Sequence, residues 1–375
     1  MSQLQSDPVV VLIASTLKPV RDIRAFEKLA FSLGETSKYR LNIIGFSDEK
    51  PADEGKYRFF SSMSHYGSKV DRLLAQVRFA KKLLDLKPKL LICCTYEYLP
   101  LASFFKSFLK YRLVYDVQEN YSKNLDLNPS LNGIKKKWAS YLIRKAEGVK
   151  GIDLFLLAES CYRDEMPDKA PFLILENKYQ GAIKEVSQVR LDPTKNLKFF
   201  ITGTLTPAYG TLEGLTWFQK ILEAYPHFHL KVIGHCPLDA YKIQLLQQAA
   251  NCPQIHLEIS NTPISYYRIE QVLINSDAAL LPYVIHPAIQ EKIPTKLFEC
   301  AALGIPVLMT RNPKWEKFFN SYQGGIAVDF LDKENVLTTF QHALDQTYFS
   351  TSVPESVLWI SQKLLFQQAI QNLLS

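Results

Sequence analysis

The fold of this chain is decided by one stretch, which reads Glu291-Lys-Ile-Pro-Thr-Lys-Leu-Phe-Glu-Cys-Ala-Ala-Leu-Gly-Ile-Pro-Val-Leu-Met-Thr310. Pro294 suits the first turn of a helix, where its missing N–H costs nothing, and Gly304 suits the left-handed residue that ends a helix. The apolar run that begins at Ile305 then predicts a buried strand. A helix followed at once by a buried strand is typical of α/β domains with parallel sheets.

The start of the predicted helix carries the residues of an anion site. The backbone amides of Thr295, Lys296 and Leu297 have no partner earlier in the helix, and the helix dipole favours a phosphate at this position. The Lys296 side chain adds a full positive charge. Glu299 follows one turn later, about where the ribose diol of a bound nucleotide would lie.

This stretch resembles the donor-binding signature of family 4 glycosyltransferases, in which two glutamates separated by seven residues precede a small-residue helix and a Gly-x-Pro-Val strand. Glu291 and Glu299 form that pair here. The resemblance implies a retaining transferase that uses a nucleotide sugar. It places Glu291, as a catalytic residue, near the donor sugar and its phosphates, and Glu299 on the ribose. The alternative is an ordinary helix-to-strand corner with two surface glutamates.

Apolar runs without polar alternation, separated by helical patterns, predict an α/β protein with parallel sheets covered on both faces. The predicted strands are 9–14, 41–46, 90–94, 113–117, 197–202, 230–233, 255–259, 278–281 and 305–309. Because the pattern restarts after the polar stretch at 178–198, we expect two doubly wound, Rossmann-like domains.

The family resemblance implies that these two domains face a cleft in the GT-B arrangement. We expect residues 1–178 to bind the acceptor and residues 179–353 to bind the donor. A final helix within 354–375 is expected to cross back to the first domain.

One of the predicted helices has a long apolar stripe. It ends at Pro88, and apolar residues recur along it at helical spacing. These residues, which trace one face of the helix, are Val70, Leu73, Leu74, Val77, Ala80 and Leu84.

A loop that follows a predicted strand of the second domain carries further donor-site candidates, because ligands collect at the carboxyl ends of parallel strands. Gly203 permits close backbone approach and Thr204 offers a hydroxyl, so we assign both to the donor diphosphate. A plain glycine turn is the alternative. Many family members have an arginine in place of Thr204 and a lysine in place of Tyr209, which leaves Lys296 as the best substitute for these cations.

In the first domain, a buried strand runs into Tyr-Asp116-Val-Gln118-Glu119. This segment resembles the Tyr-Asp-Val-His-Glu stretch of the family, whose histidine contacts the donor sugar. The resemblance gives Gln118 that catalytic position, although glutamine forms hydrogen bonds without taking a charge. Asp116 and Glu119 are candidates for the acceptor site or cleft; for Asp116, the alternative is a capping or turn carboxylate.

Two other loops of the first domain contribute acceptor-site candidates by resemblance. Asp22 and Arg24 match the family's Asp-x-Arg entry to the first helix, and the alternative is helix capping by Asp22 with Arg24 solvated. Glu97 precedes a Leu-Pro pair and is expected to bind an acceptor hydroxyl; a solvated loop glutamate is the alternative. We do not assign Glu97 the role of general base, because in retaining transferases of this kind the leaving diphosphate is held to accept the proton.

Composition narrows the class of protein. The chain has 375 residues, of which 47% are hydrophobic and 22% charged, as in ordinary globular proteins. No apolar run reaches the roughly 18 to 20 residues of a membrane-spanning helix. The six cysteines have neither metal-ligand spacing nor a secreted framework. We therefore expect a cytoplasmic protein. The family resemblance implies a reaction without metal or cofactor, in which a nucleotide sugar of unknown base is the co-substrate.

Positive charge is concentrated in the first half. Residues 1–178 hold 29 Lys and Arg against 21 Asp and Glu, whereas the remainder holds 15 against 16. Two basic-aromatic segments, 104–112 and 134–145, suit contact with an anionic membrane at its inner face. The alternative for the second segment is a packed helix with a solvated basic face. Nucleic acid is a competing partner, but no nucleic-acid motif supports it.

The family resemblance implies a glycosyltransferase that moves a sugar from a nucleotide sugar to a saccharide or a polyprenyl-diphosphate-linked saccharide, in surface polysaccharide biosynthesis; the basic first half suits the diphosphate-linked acceptor. A non-catalytic relative that acts as an interaction partner in a glycan biosynthesis complex is the alternative, motivated by Gln118. A sugar-nucleotide epimerase on the same fold would need an acid/base pair in the first domain, and the sequence offers no convincing one.

Overall fold

The computed structural model describes residues 7–49, 51–127 and 131–375. The chain divides into two compact units, which do not coincide with two successive halves of the sequence. One unit combines Met1–Gln180 with Trp359–Ser375, and the other is Gly181–Leu358.

The first unit is built on a seven-stranded sheet. Its strands are β1 (Val9–Pro19), β2 (Tyr39–Phe46), β3 (Tyr57–Ser61), β4 (Leu90–Cys93), β5 (Arg112–Val117), β6 (Leu154–Leu157) and β7 (Phe172–Ile174). They lie in the order β3-β2-β1-β4-β5-β6-β7, and every neighbouring pair is parallel. Parallel neighbours need crossover connections, which explains why helices separate most of the strands.

In the described part of this unit, six helices lie between the strands. The first, α1, has π-type hydrogen bonding over Ile23–Ala30 and continues as an α-helix over Phe31–Gly34. The others are α2 (Lys69–Leu86), α3 (Leu99–Leu109), α4 (Tyr121–Asn124), α5 (Gly133–Glu147) and α6 (Tyr162–Glu165).

The second unit repeats this architecture. Its strands are β8 (Lys198–Thr204), β9 (His229–His235), β10 (Ile255–Ser260), β11 (Ala278–Leu281), β12 (Val307–Thr310) and β13 (Gly325–Val328). Its helices are α7 (Thr211–Ala224), α8 (Asp239–Ala249), α9 (Tyr266–Ile274), α10 (Thr295–Leu303), α11 (Pro313–Phe319) and α12 (Val336–Asp345). The parallel sheet has the order β10-β9-β8-β11-β12-β13.

The last helix, α13 (Ile360–Leu374), packs on the first unit, as expected from the resemblance. Trp359, Phe366 and Ile370 join a core cluster with Val11, Ile13 and residues of α1. The indole nitrogen of Trp359 donates to the Ser32 hydroxyl at 2.8 Å. Leu12 and Ala14 point to the opposite core, under α2 and α3, so both faces of the sheet are covered.

All nine predicted strands are present, whereas β3, β6, β7 and β13 were not predicted. Three of them, β3, β7 and β13, lie at the edges of their sheets with mostly half-buried side chains, so their apolar pattern is weak. The fourth, β6, is a short buried apolar run like β4 and was overlooked. The helix at 295–303 lies where it was predicted, but Pro294 precedes its first turn, and the following strand starts at Val307 rather than Ile305.

Helix α2 does not bury its apolar stripe. Its core-facing residues are Asp71, Ala75, Phe79 and Leu83. Five residues of the predicted apolar face are exposed instead: Val70, Leu73, Leu74, Val77 and Leu84. Ala75, Phe79 and Leu83 form a second apolar row at i+4 spacing, and this row meets the sheet. Periodicity alone does not say which of two apolar rows faces the core.

Within the described ranges, none of the helices combines the length and the apolar character that spanning a lipid bilayer would require.

We expect Trp359→Ala to lower the free energy of unfolding by about 3–5 kcal/mol, because it removes a large buried side chain and leaves a cavity. Leu364→Ala is the matched control, since Leu364 lies in the helix that Trp359 precedes and has 65% of its surface exposed. Urea unfolding of both variants measures the difference. Equal unfolding midpoints would show that α13 does not complete the first core.

Candidate functional site

The second sheet reverses its strand order between β8 and β11, which lie side by side although β9 and β10 separate them in sequence. In open parallel sheets, the carboxyl ends of strands at such a point form a crevice that binds ligands. The loops that follow β8 and β11, together with the start of α10, are therefore the candidate site of this unit.

The two loops touch each other through Gly210 and Pro282. A Cβ on Gly210 would lie only 1.7 Å from the carbonyl oxygen of Pro282, and Gly210 has a φ of +61°. The amide of Val284 donates to the carbonyl of Ala208 at 3.1 Å. Only glycine allows this approach, because any side chain would collide with the opposite backbone.

Gly203 and Thr204, the predicted diphosphate ligands, lie at the end of β8. Gly203 has a φ of +120°, and a Cβ there would meet no atom within 4 Å, so its backbone faces open space. Thr204 is exposed and pairs with His235 of β9. The preceding Thr202 is buried, and its hydroxyl has no hydrogen-bond partner among the described residues. A buried polar group in this state is one that a ligand can satisfy.

Lys296, in the first turn of α10, and Glu299, one turn later, form a buried ion pair, with the ammonium nitrogen on Oε2 of the carboxylate. The ammonium also lies 6.0 Å from the centre of the Tyr266 ring. Burial raises the pKa of the Tyr283 hydroxyl, and the nearby Tyr209 and Glu299 raise it further. Glu299 thus lies beside the loop that follows β11.

One of the three amides expected to bind an anion is already engaged. The amide of Leu297 donates to the carbonyl of Pro294 at 2.9 Å. This bond leaves the amides of Thr295 and Lys296 as the principal donors of the helix N-terminus. The expectation for Leu297 is therefore corrected.

Glu291 lies on the surface, with 53% of its side chain exposed. The ammonium of Lys314 donates to its backbone oxygen at 2.6 Å and lies 3.7 Å from its carboxylate. Asn312 donates to the carbonyl of Gln290 at 3.0 Å, and the indole of Trp315 donates to the carbonyl of Lys292 at 2.7 Å. The corner between β12 and α11 therefore fixes the backbone around Glu291.

The sequence reasoning missed these three supporting residues. Their signal was Asn312-Pro313, since asparagine followed by proline is typical of the start of a helix. The Asn312 side chain indeed accepts from the amides of Lys314 and Trp315 at the start of α11.

In the first unit, Arg24, Asp116 and Gln118 form one buried cluster. The Nε of Arg24 lies 3.0 and 2.9 Å from the two carboxylate oxygens of Asp116, and Nη2 lies 2.7 Å from Oδ1. Gln118 donates from Nε2 to Asp116 at 2.8 Å. Asp116 is fully buried and its oxygens are engaged, so it is unsuited to act as a general base. It is a buried ion-pair partner rather than a cap or turn residue.

Arg24 is buried rather than solvated. Its Nη1 donates to the Leu175 carbonyl and to Oδ1 of Asn177, both at 2.8 Å. Burial works against the charged guanidinium, but the carboxylate of Asp116 outweighs it and keeps the pKa of Arg24 raised. Asp22 caps α1 by accepting from the amides of Arg24 and Ala25.

The two remaining first-unit candidates each have a partner. Glu97 accepts from Nε of Arg72 at 2.7 Å, and Glu119 accepts from Asn124 at 2.7 Å. Neither carboxylate belongs to the Arg24, Asp116 and Gln118 cluster. Among the residues that the structure describes, no three His, Cys, Asp or Glu side chains are grouped as a metal site would require.

We expect Gly210→Ala to destabilise the second unit by about 2 kcal/mol or more, through its left-handed backbone and the collision with Pro282. Gly133→Ala is the control, because a Cβ there would meet no atom within 4 Å. Urea unfolding followed by tryptophan fluorescence compares the two. If Gly210→Ala unfolded like the wild type, the contact between the loops would not be needed.

No protein-family model and no curated protein matches the sequence. Among solved structures, the chain is similar to a sucrose-phosphate synthase from Thermosynechococcus elongatus, with a TM-score of 0.69 and 10% identity over 97% of this chain and 99% of that one. The Anabaena protein HepE in complex with UDP and glucose has a TM-score of 0.63 and 11% identity, over 97% and 100% of the two chains.

A UDP-N-acetylglucosamine 2-epimerase is also similar, with a TM-score of 0.54 and 12% identity over 97% of this chain and 96% of that one. At these identities the likeness shows the fold, and the same fold occurs in a transferase and an epimerase. The chain thus has the two-domain α/β fold of GT-B glycosyltransferases, as predicted, while membership of family 4 stays a prediction.

Proposed function

We propose that this chain is a glycosyltransferase that moves a sugar from a nucleotide-sugar donor to a saccharide or lipid-linked saccharide. The observation that carries the proposal is the buried Lys296–Glu299 pair at the start of α10, beside the β8 and β11 loops. A buried ion pair is a weak source of stability, so its presence at a ligand crevice is better explained by binding.

The two members of the pair suit different parts of a nucleotide sugar. The carboxylate of Glu299 has oxygens to accept from both hydroxyls of a ribose. Lys296 and the first amides of α10 suit the diphosphate, because the helix dipole and a full positive charge act on the same anion. Without a donor the two side chains neutralise each other, so neither charge is buried alone.

The proposed chemistry needs stabilisation of the leaving diphosphate. As the bond between the sugar and the phosphate breaks, negative charge grows on the phosphate oxygens, where Lys296 and the amides of α10 act electrostatically. We propose that the acceptor proton goes to this phosphate, with retention of configuration and without a metal ion. Glu291, on its fixed backbone, is proposed to orient the donor sugar.

The first unit is proposed to bind the acceptor. One N–H of the Gln118 amide is engaged with Asp116, so its second N–H and its carbonyl oxygen would meet a hydroxyl of the donor sugar. The Arg24–Asp116 pair would hold this amide in position. We propose a role in surface polysaccharide biosynthesis at the cytoplasmic side of a membrane, which is consistent with the basic first half of the chain.

The main competing function is that of a non-catalytic partner in a glycan biosynthesis complex. Gln118 in place of the family's histidine, and an Asp116 with no free oxygen, favour it. An epimerase is less well supported, because Asp116 is engaged and offers no acid/base partner.

We expect Glu299→Gln to weaken nucleotide binding at least tenfold, because a neutral amide accepts less strongly from the ribose diol. The test is calorimetric titration with uridine and guanosine diphosphates and their sugars, in EDTA, at a temperature where both proteins are folded. UDP comes first because it is bound in the Anabaena structure.

Glu334→Gln, at an exposed position of the same unit, is the control and should bind like the wild type. If Glu299→Gln bound nucleotide as well as the wild type does, the ribose assignment would fail. If no nucleotide bound the wild type, the non-catalytic function would be favoured.

We expect Glu291→Gln to lower kcat by about tenfold to a hundredfold and to change donor affinity by less than threefold, because its proposed contact is made mainly in the transition state. Transfer is measured with the donor found by titration and a panel of saccharide and lipid-linked acceptors. A change in KM with unaltered kcat would instead make Glu291 a ground-state binding residue.

A further inference from the structure

One face of the first unit is apolar and basic at once. Helices α2, α3 and α5 lie next to each other, with α3 in contact with both of the others. Phe79 and Leu83 of α2, and Leu99 and Ala102 of α3, pack on the same side of the sheet, opposite α1 and α13. We call the outer surface of α2, α3 and α5 the basic face.

Large apolar side chains protrude from all three helices. The five exposed residues of the α2 stripe lie on the basic face, and the most exposed of them is Leu73, at 71%. Helix α3 adds Phe104 and Phe108, and α5 adds Trp138 and Tyr141, all more than half exposed. Exposed apolar groups on three adjacent helices are more than the scattered single residues of an ordinary surface.

The same helices carry the positive charge of the chain. Their residues include 11 Lys and Arg against 3 Asp and Glu, an excess of eight. The whole chain has a net charge of +7, so the rest of it is close to neutral. A depression of about 640 Å³ beside α3 is lined by Lys106, Lys110, Arg112 and Lys150. Lys106 and Arg112 pair with Asp153, and the exposed Lys110 and Lys150 face the head groups of a docked bilayer in this proposal.

We propose that the basic face docks onto the surface of an anionic phospholipid bilayer. Lysines and arginines are attracted to the charged head groups, while aromatic and aliphatic side chains enter the boundary with the acyl chains. Arg72, Lys106 and Lys136 of these helices pair with acidic residues outside them, and the face stays positive without these three. A second copy of this chain would set two positively charged faces against each other. Binding of nucleic acid to this face would not explain the exposed apolar stripe of α2.

This inference extends the proposed function but does not rest on it, because vesicle binding needs neither donor nor transfer. Failure of nucleotide binding would leave it standing. Failure of vesicle binding would leave a transferase acting on soluble acceptors.

Trp138 provides a direct reporter of docking. It is 61% exposed, whereas the other three tryptophans of the chain are almost fully buried. A blue shift of tryptophan emission on adding vesicles would therefore come from Trp138 entering an apolar boundary. We expect the shift with phosphatidylglycerol-containing vesicles, no shift with phosphatidylcholine alone, and weakening at high salt. Co-sedimentation with the same vesicles gives the partition coefficient.

The charge test replaces Lys135, Lys136 and Lys137 by glutamine, which should lower the partition coefficient on the order of a hundredfold. Its control replaces Lys195, Lys220 and Lys333, exposed lysines of the second unit, and should change partition by less than threefold. Equal losses in the two triple variants would overturn the proposal, because net charge rather than this face would then drive binding.

The apolar test combines Phe104→Ser with Phe108→Ser, and separately Leu73→Ser with Val77→Ser. Tyr267→Ser with Leu331→Ser is the control, with similar exposure in the second unit. We expect both basic-face variants to lose most of the binding and the control to keep it. The proposal is overturned by absence of binding to anionic vesicles, by a solution dimer that the α2 variant dissociates, or by tighter binding to RNA than to vesicles. Apart from the half-buried Lys136, the substituted residues are exposed, and unchanged melting temperatures establish that the variants are folded.

Discussion

Parallel pairing is the constraint on which the rest of this structure depends. Two parallel neighbours cannot be joined by a tight turn, so the chain must leave at the carboxyl end of one strand and return to the amino end of the next. All loops that follow strands therefore gather at the carboxyl ends of the strands in each sheet. This brings together segments distant in sequence, such as the Gly210 turn after β8 and the Pro282 loop after β11. The turn at Asn312, after β12, lies at the same end of the strands.

The Arg24–Asp116 pair of the first unit and the Lys296–Glu299 pair of the second are both buried among functional candidates, but they differ in the hydrogen-bonding groups left for a ligand. Arg24 spreads its donors over Asp116, Leu175 and Asn177, so that pair is closed and suits a structural role. Lys296 and Glu299 lie at a helix start, where unpaired amides and open space in front of Gly203 remain. Removing one partner of either pair leaves a buried charge, which is costly.

The sequence was most informative where one physical cause dominated. Continuous apolar runs located nine strands, and the left-handed glycine ended α10 at Gly304, because burial and backbone conformation are local properties. The apolar pattern on α2 failed because two apolar rows share that helix, and only the sheet beneath decides between them.

The details of the candidate site depend on contacts between distant residues, which sequence spacing does not encode. Arg24 and Asp116 are 92 residues apart, and Glu291 is held by Lys314, 23 residues later. The hydrogen bond from the Leu297 amide to the Pro294 carbonyl depends on the local backbone geometry, which residue identity does not determine. The pairing of Lys296 with Glu299 was predictable from the sequence, because the two residues are three apart on a helix. The sequence analysis assigns each of them to a different part of a ligand instead.

The position of α13 has a consequence for the order in which the protein is made. Residues 1–180 are synthesised first. The core of the first unit nevertheless lacks Trp359, Phe366 and Ile370 until all of residues 181–358 have been synthesised. The unit that begins first is therefore finished last. Until α13 is made, the apolar side chains of the sheet and α1 that it covers in the finished protein stay open to solvent.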